Sequence, residues 1–231
     1  MKFLVRVPCL VILGGVFSAR AWAGGTVTGR VLHEGPRQAR SMPITKDNAI
    51  CGTGYREIVD VDVAEGLLRD AVIYVDGEVT GGSPPVRDHA ELMQEDCRFK
   101  PTIMTAQLGE ELHIVNGDRI GHNIHAYEML GKARKDFFNF DQPFEGHRRQ
   151  MPLDTRHTDT IELACDIHDF MSGWIFLTPN AFATVATDGT WTIEGLPAGT
   201  YTLKVFHPVL GTSAQQVTVP AEGSVTADFS L

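Results

Sequence analysis

The sequence predicts an all-β protein, and three features carry that prediction. Apolar residues alternate with period 2 in short runs, as in Thr26-Val27-Thr28-Gly29-Arg30-Val31-Leu32. Turn-forming residues punctuate the chain, with 23 glycines and 12 prolines in 231 residues. No stretch longer than about ten residues carries a convincing 3.6-residue period. Short strands at this spacing make a β-sandwich the natural architecture. A composition 43% hydrophobic and 21% charged fits a folded globular chain rather than a disordered one.

The first 23 residues stand apart from this pattern. Lys2 and Arg6 make a positive start, Val7 to Phe17 is an apolar run, and Ala21-Trp22-Ala23 is a small-x-small site before Gly24. This is the layout of a secretory signal peptide. The run falls short of the roughly 20 residues that span a bilayer, so no membrane span is expected. Cleavage near Ala23 would leave a periplasmic or secreted chain. It would remove Lys2, Arg6 and Arg20 and no acid, taking the net charge from −9 to −12. An acidic chain argues against nucleic-acid binding. Cys9 leaves with the peptide, so Cys51, Cys97 and Cys165 remain. An odd cysteine count in an oxidising compartment leaves one thiol that needs a purpose.

The strands then follow in order. After Thr26 to Leu32 comes Ala71-Val72-Ile73-Tyr74-Val75, closed by the Asp76-Gly77 turn. Gly81-Gly82-Ser83-Pro84-Pro85 reads as a domain junction. Glu110 to Val115 is a strand that ends at Asn116-Gly117-Asp118. Thr158 to Cys165 and Gly173 to Leu177 are two more. Beyond Pro179 lie Trp191 to Ile193, Tyr201 to Phe206, Gln216 to Val219 and Val225 to Leu231.

Metal-binding chemistry concentrates between His122 and Met171. Cys165-Asp166-Ile167-His168-Asp169-Phe170-Met171 is C-x2-H-x2-M on a short loop between two strands. Gly121-His122-Asn123-Ile124-His125 follows another strand upstream. A thiolate, two imidazoles and a thioether suit copper, whereas zinc seldom takes methionine. On the loop motif alone, a buried free thiol at Cys165 and a core methionine at Met171 stay open.

These segments resemble the cupredoxin family. Glu111 to Asp118, the His122 segment, the Cys165 loop and Gly173 carry the resemblance, over roughly residues 90–178. The short ligand loop and the H-N-x-H segment are most similar to amicyanin and pseudoazurin. The resemblance implies one type 1 (blue) copper ion held by His122, Cys165, His168 and Met171. It implies Asn123 and Asn116 as residues supporting the ligand loops. It also implies electron transfer through an exposed edge of His168 flanked by Ile167 and Phe170. Asp166 and Asp169 occupy gaps where amicyanin-like loops usually carry proline, and nearby acids lower a copper potential. His125, three residues past His122, is expected on the opposite strand face. His113, His147, His157 and His207 are read as surface residues. Cys51 and Cys97 are the remaining pair, expected to form a disulfide, with a second metal or redox site as the alternative.

The flanking residues resemble a different module. Ala186 to Leu203 has a turn, strand, Gly-x-Pro-x-Gly turn, strand rhythm, similar to carboxypeptidase regulatory-like, transthyretin-like β-sandwiches. The expected layout is one such sandwich split into residues 24–88 and 179–231, with a Greek-key cupredoxin domain, 89–178, inserted in it or adjacent. The expected function is single-electron transport, not enzymatic catalysis. Copper oxidases and nitrite reductases use H-x-H pairs, and the sequence has none. The expected partner is a c-type cytochrome or a periplasmic dehydrogenase, met by a monomer. The alternatives are a copper storage or delivery protein and a structural or glycan-binding module with a vestigial site.

Overall fold

A computed structural model of the chain describes residues 24–84 and 89–231. The signal peptide expected over 1–23, and the end of the junction at Pro85, lie outside the described residues. The regular structure of the described residues is almost all strand, as the residue pattern predicts, and their one helical turn is Asn48–Cys51.

Residues 90–178 build one sandwich. A five-stranded sheet runs in the order Ala133–Gln142, His122–Leu130, Thr160–Ala164, Ser172–Thr178, Ile103–Gln107. A four-stranded sheet runs Arg148–Pro152, Glu111–Asn116, Ala90–Glu95, Arg98–Lys100. Leu92, Ile114, Ile124, Leu163 and Ile175 meet in their shared core. Strand alternation decides what enters it. Along His122–Leu130, His122, Ile124 and Ala126 are buried, while His125 and Tyr127 on the other face are half-buried.

A second pair of sheets joins segments from before and after that sandwich. Gly25–Leu32 pairs antiparallel with Thr190–Leu196 and parallel with Ser224–Thr226 and Phe229–Ser230. The stretch expected as one strand over 225–231 keeps a single register along Gly25–Leu32 but is interrupted at Ala227 and Asp228, where the Arg30 N–H donates to the Asp228 carboxylate at 2.8 Å instead of to a backbone carbonyl. A Cβ on Gly29 would lie 1.8 Å from Ala227 O, so only glycine lets the chain cross there. The opposing sheet runs Ala183–Ala186, Ala71–Val75, Gly199–His207, Gly211–Val219.

Ala71–Val75 is apolar throughout because both of its faces are buried. Ala71, Ile73 and Val75 enter the second core with Val27, Trp191 and Leu203. Val72 and Tyr74 face the first sandwich and meet Ile103 and Phe176. The Phe176 ring lies 5.0 Å from Tyr74 and 4.4 Å from Phe206.

One part of residues 24–88 leaves the second core, which it touches only through Val61 at its base. The hairpin of Gln38–Pro43 and Tyr55–Val61 reaches over to the first sandwich. Cys51 and Ile58 belong to that sandwich's core, and Met42 and Ile44 pack against it. The Cys51–Cys97 disulfide, with Cα atoms 5.3 Å apart, fastens the hairpin there. Arg56 adds bonds from its guanidinium to Cys51 O at 2.6 Å, Asp96 O at 3.0 Å and Cys97 O at 3.1 Å.

His207 departs from its expected surface position. It is 4% exposed, because its strand turns it inward at the edge of the second sandwich. Burial, aided by the nearby His33, lowers its pKa to about 4. The folded state therefore keeps His207 neutral where the unfolded chain protonates it. Its contribution is complete above about pH 6.5 and is lost as pH falls toward 4, amounting to about 3 kcal/mol. Denaturant titrations between pH 7 and 4 are expected to show a shallower loss of stability in His207→Gln than in wild type. Parallel profiles would contradict this.

Candidate metal centre

The centre forms at one end of the first sandwich. Cys165 directly follows Thr160–Ala164, and the next six residues turn back into Ser172–Thr178. His122–Leu130 pairs antiparallel with Thr160–Ala164, with His125 opposite Ala164. His122, three residues earlier, is thereby carried alongside the loop beyond Cys165. His122 Nδ1 lies 3.1 Å from His168 Nδ1, and His168 Nδ1 lies 3.9 Å from Cys165 Sγ. The three donor atoms all fall within 4.8 Å of one another, and all three residues are buried. Met171 is buried on the same turn, its N–H donating to His168 O at 2.9 Å.

The positions of the ring protons follow from the outer nitrogens. His122 Nε2 lies 2.8 Å from an Asp118 carboxylate oxygen, and His168 Nε2 lies 2.8 Å from Asp47. A carboxylate can only accept, so each Nε2 carries the hydrogen. In neutral rings both Nδ1 atoms are then bare, and their lone pairs face each other across 3.1 Å. Backbone N–H groups of Asn123 and His168 point at Cys165 Sγ, each at 3.4 Å. Burial raises the pKa of that thiol, and these N–H groups work in the opposite direction by favouring its thiolate. Burial also lowers the pKa of His122, against the pull of Asp118.

Asn123 links the His122 strand to the Cys165 loop. Its Oδ1 accepts the N–H of Asp166 at 3.2 Å, while its Nδ2 donates to Asn139 at 2.6 Å. Asn116 acts one step further out. Its Oδ1 accepts the N–H of Asp118, and its Nδ2 donates to Ile120 O and Gln142 O, which sets the turn carrying Asp118. His125 stands on the outer face, bonded to Asp166 and Asp136, each at 3.1 Å.

The expected electron-transfer edge is not at the surface. His168 is 1% exposed, Phe170 is buried and Ile167 is half-buried. The hairpin carrying Asp47 and Arg56 covers them, and the Arg56 guanidinium sits 5.1 Å from the Phe170 ring centroid. Nor are Asp166 and Asp169 the acids at the imidazoles. Both are exposed, and Asp166 is turned to His125.

Asp118 and Asp47 were not singled out by the sequence. Asn116-Gly117-Asp118 signals a turn, and Asp118 is a turn residue. Its two oxygens also accept the N–H groups of Asp96 at 2.9 Å and Cys97 at 2.8 Å. Those two residues adopt positive φ of 55° and 53°, a conformation non-glycine residues resist. Asp47 lies 121 residues from His168 and carries no local motif.

Solved structures that match part of the chain include a cupredoxin, an amicyanin and a copper-containing nitrite reductase. The purple cupredoxin of Nitrosopumilus maritimus is 18% identical, over 38% of this chain and 98% of that one, with a TM-score of 0.32. Amicyanin from Paracoccus versutus is 18% identical, over 46% of this chain and 96% of that one, with a TM-score of 0.33. The copper-containing nitrite reductase of Thermus scotoductus is 15% identical, over 41% of this chain but 25% of its own length, with a TM-score of 0.31. No family model matches the chain. No curated protein matches it either. The likeness is partial and low, so the donors themselves carry the functional reading.

Two measurements check this centre. Asp118→Ala leaves the buried Cys97 N–H and His122 Nε2–H, and the half-buried Asp96 N–H, without their acceptor and is expected to cost about 3 kcal/mol in denaturant titrations. A change below about 0.5 kcal/mol, the level of an ordinary surface substitution, would contradict the buried role. Metal-free protein spanning 24–231, unfolded without reductant, is expected to titrate one thiol. Three thiols would show that Cys51 and Cys97 are not bridged.

Proposed function

We propose that the chain is an exported copper protein that carries single electrons between redox proteins. The observation behind this reading is the pair of Nδ1 atoms facing each other 3.1 Å apart beside a buried cysteine sulfur, with each ring's Nε2 bonded to a carboxylate. Two lone pairs at that distance repel unless a proton or cation lies between them. Two imidazoles and a thiolate, with methionine in reserve, are the ligands of a type 1 copper site. His122, Cys165 and His168 would hold one ion, with Met171 as the weak fourth ligand. Bound there, copper would accept and return one electron.

The surrounding residues suit that task. Asp118 and Asp47 fix which ring nitrogen faces inward, a carboxylate–histidine–metal relay. The N–H groups on Cys165 Sγ stabilise the thiolate that a metal requires. Sheet pairing holds His122 against the Cys165 loop, so the donors need not rearrange as charge changes. His168 meets solvent through Asp47, whose side chain is 40% exposed, and an electron leaving by His168 would pass that residue. A site closed in this way suits retention of copper rather than its delivery.

The finer assignments belong to the same proposal. The Cys51–Cys97 bridge fits an oxidising compartment, and the sequence layout of 1–23 fits export to the periplasm or beyond. No helix among the described residues is long and apolar enough to cross a membrane. The ladders shared by 24–88 and 179–231 support a split transthyretin-like sandwich around a copper domain at 89–178. A c-type cytochrome or a periplasmic dehydrogenase would serve as partner, through the small interface typical of electron-transfer encounters.

Adding Cu(II) to the metal-free protein is expected to give an intense thiolate-to-copper visible band. That band is expected to vanish in Cys165→Ser and to reappear reversibly after reduction and reoxidation of wild type. A wild-type protein that binds copper without colour would overturn the type 1 reading in favour of storage. One that binds no copper would leave a structural module.

A further inference from the structure

The residues closing the site over His168 come from a distant part of the chain. Asp47 ends the first half of a hairpin excursion that leaves the second sandwich and lies across the first. Its carboxylate sits 2.8 Å from His168 Nε2. Two independent fastenings hold it there. One is the Cys51–Cys97 disulfide, four residues beyond Asp47. The other is Arg56, whose guanidinium bonds the carbonyls of both bridged cysteines and lies against Phe170. The bridge reaches back to the turn that Asp118 stabilises, so both carboxylate partners of the two imidazoles depend on one region around Cys97.

We infer that Asp47 is a positioning residue of the copper site. Carried on a disulfide-fastened flap, it holds His168 through Nε2, biases the bound ion toward Cu(II), and seals His168 from water. This rests on the copper reading above. The physical grounds are direct. A carboxylate accepting from the outer nitrogen fixes the ring's orientation and makes the inner nitrogen a stronger donor. Its negative charge, close to a ligand in a buried setting, favours the more highly charged ion. With Asp118 doing the same for His122, both imidazoles are so backed, and the flap supplies one of the two.

The test compares Asp47→Asn with wild type and with Asp60→Asn. The first substitution keeps the size of the side chain and removes its charge. Asp60 is a carboxylate on the same hairpin, paired with Arg40 rather than with His168. In the copper-loaded proteins, Asp47→Asn is expected to move the Cu(II)/Cu(I) balance toward Cu(I) by tenfold or more. For a one-electron couple that is a potential higher by about 59 mV. Asp60→Asn is expected to leave the potential in place. Equal potentials in wild type and Asp47→Asn would overturn the inference, and so would an equal rise in Asp60→Asn. A second measurement needs no variant and no metal. The His168 Nε2–H of the metal-free protein is expected to appear in proton NMR as a downfield, slowly exchanging signal. Rapid exchange, as for an exposed ring edge, would overturn the seal. Failure of the copper reading is distinguishable, because wild type would then show no thiolate-to-copper band whatever the NMR signal does.

Discussion

Everything at the functional end of this molecule turns on two imidazoles whose outer protons are already committed. Asp118 takes one and Asp47 takes the other, each at 2.8 Å. A buried carboxylate such as Asp118 is costly unless bonded, and buried imidazoles with bare nitrogens are costly unless paired. The cluster balances the first requirement within the chain and leaves the second open. Inward-facing Nδ1 atoms 3.1 Å apart, with a buried sulfur beside them, need a proton or a cation between them. A cation held between them would satisfy all three inward-facing donors at once.

The sandwich explains how such an unfavourable cluster can be assembled. His122 sits on a strand whose neighbour ends one residue before Cys165, so hydrogen-bonded register delivers imidazole and thiol to one corner. Asn123 then ties the strand to the loop through the Asp166 N–H. Asp118 reaches the same corner from the turn set by Asn116, and spends its remaining bonding capacity on the left-handed Asp96–Cys97 turn. That turn presents Cys97 to Cys51, and the bridge holds the hairpin bearing Asp47. Removing any one link loosens the next.

How much of this could be read from the sequence depends on how far apart the interacting residues lie. His122, Cys165 and His168 were legible because the loop holding two of them is seven residues long and the third follows a recognisable strand. The apolar run at Ala71–Val75 was legible as a strand, and its lack of alternation is the signature of burial on both faces. Asp118 was visible only as part of a turn, since turns and buried acceptors use the same residue type. Asp47 was invisible, because no local pattern reports a contact 121 residues away. The exposed His168 edge was expected by resemblance, and the hairpin from outside the resembling segment covers it. His207 looked like a surface residue because His-Pro follows a strand end, yet the strand's alternation turns it inward.

The covered edge also gives the second sandwich a physical role. A hairpin of two short strands is marginal on its own. Here its strands leave from Gly25–Leu32 and return through Val63–Ala64 and Leu67–Leu68, both part of the second sandwich's sheet. Tyr74, Phe176 and Phe206 lock that sandwich onto the first. The hairpin is thereby anchored at its base by the sheet and at its tip by the disulfide, and Asp47 lies close to the tip. A carboxylate placed with both ends of its support fixed loses little entropy when it binds His168, so its bond is available at nearly full strength. In this arrangement the additional sandwich is the scaffold that makes a distant acid part of the site.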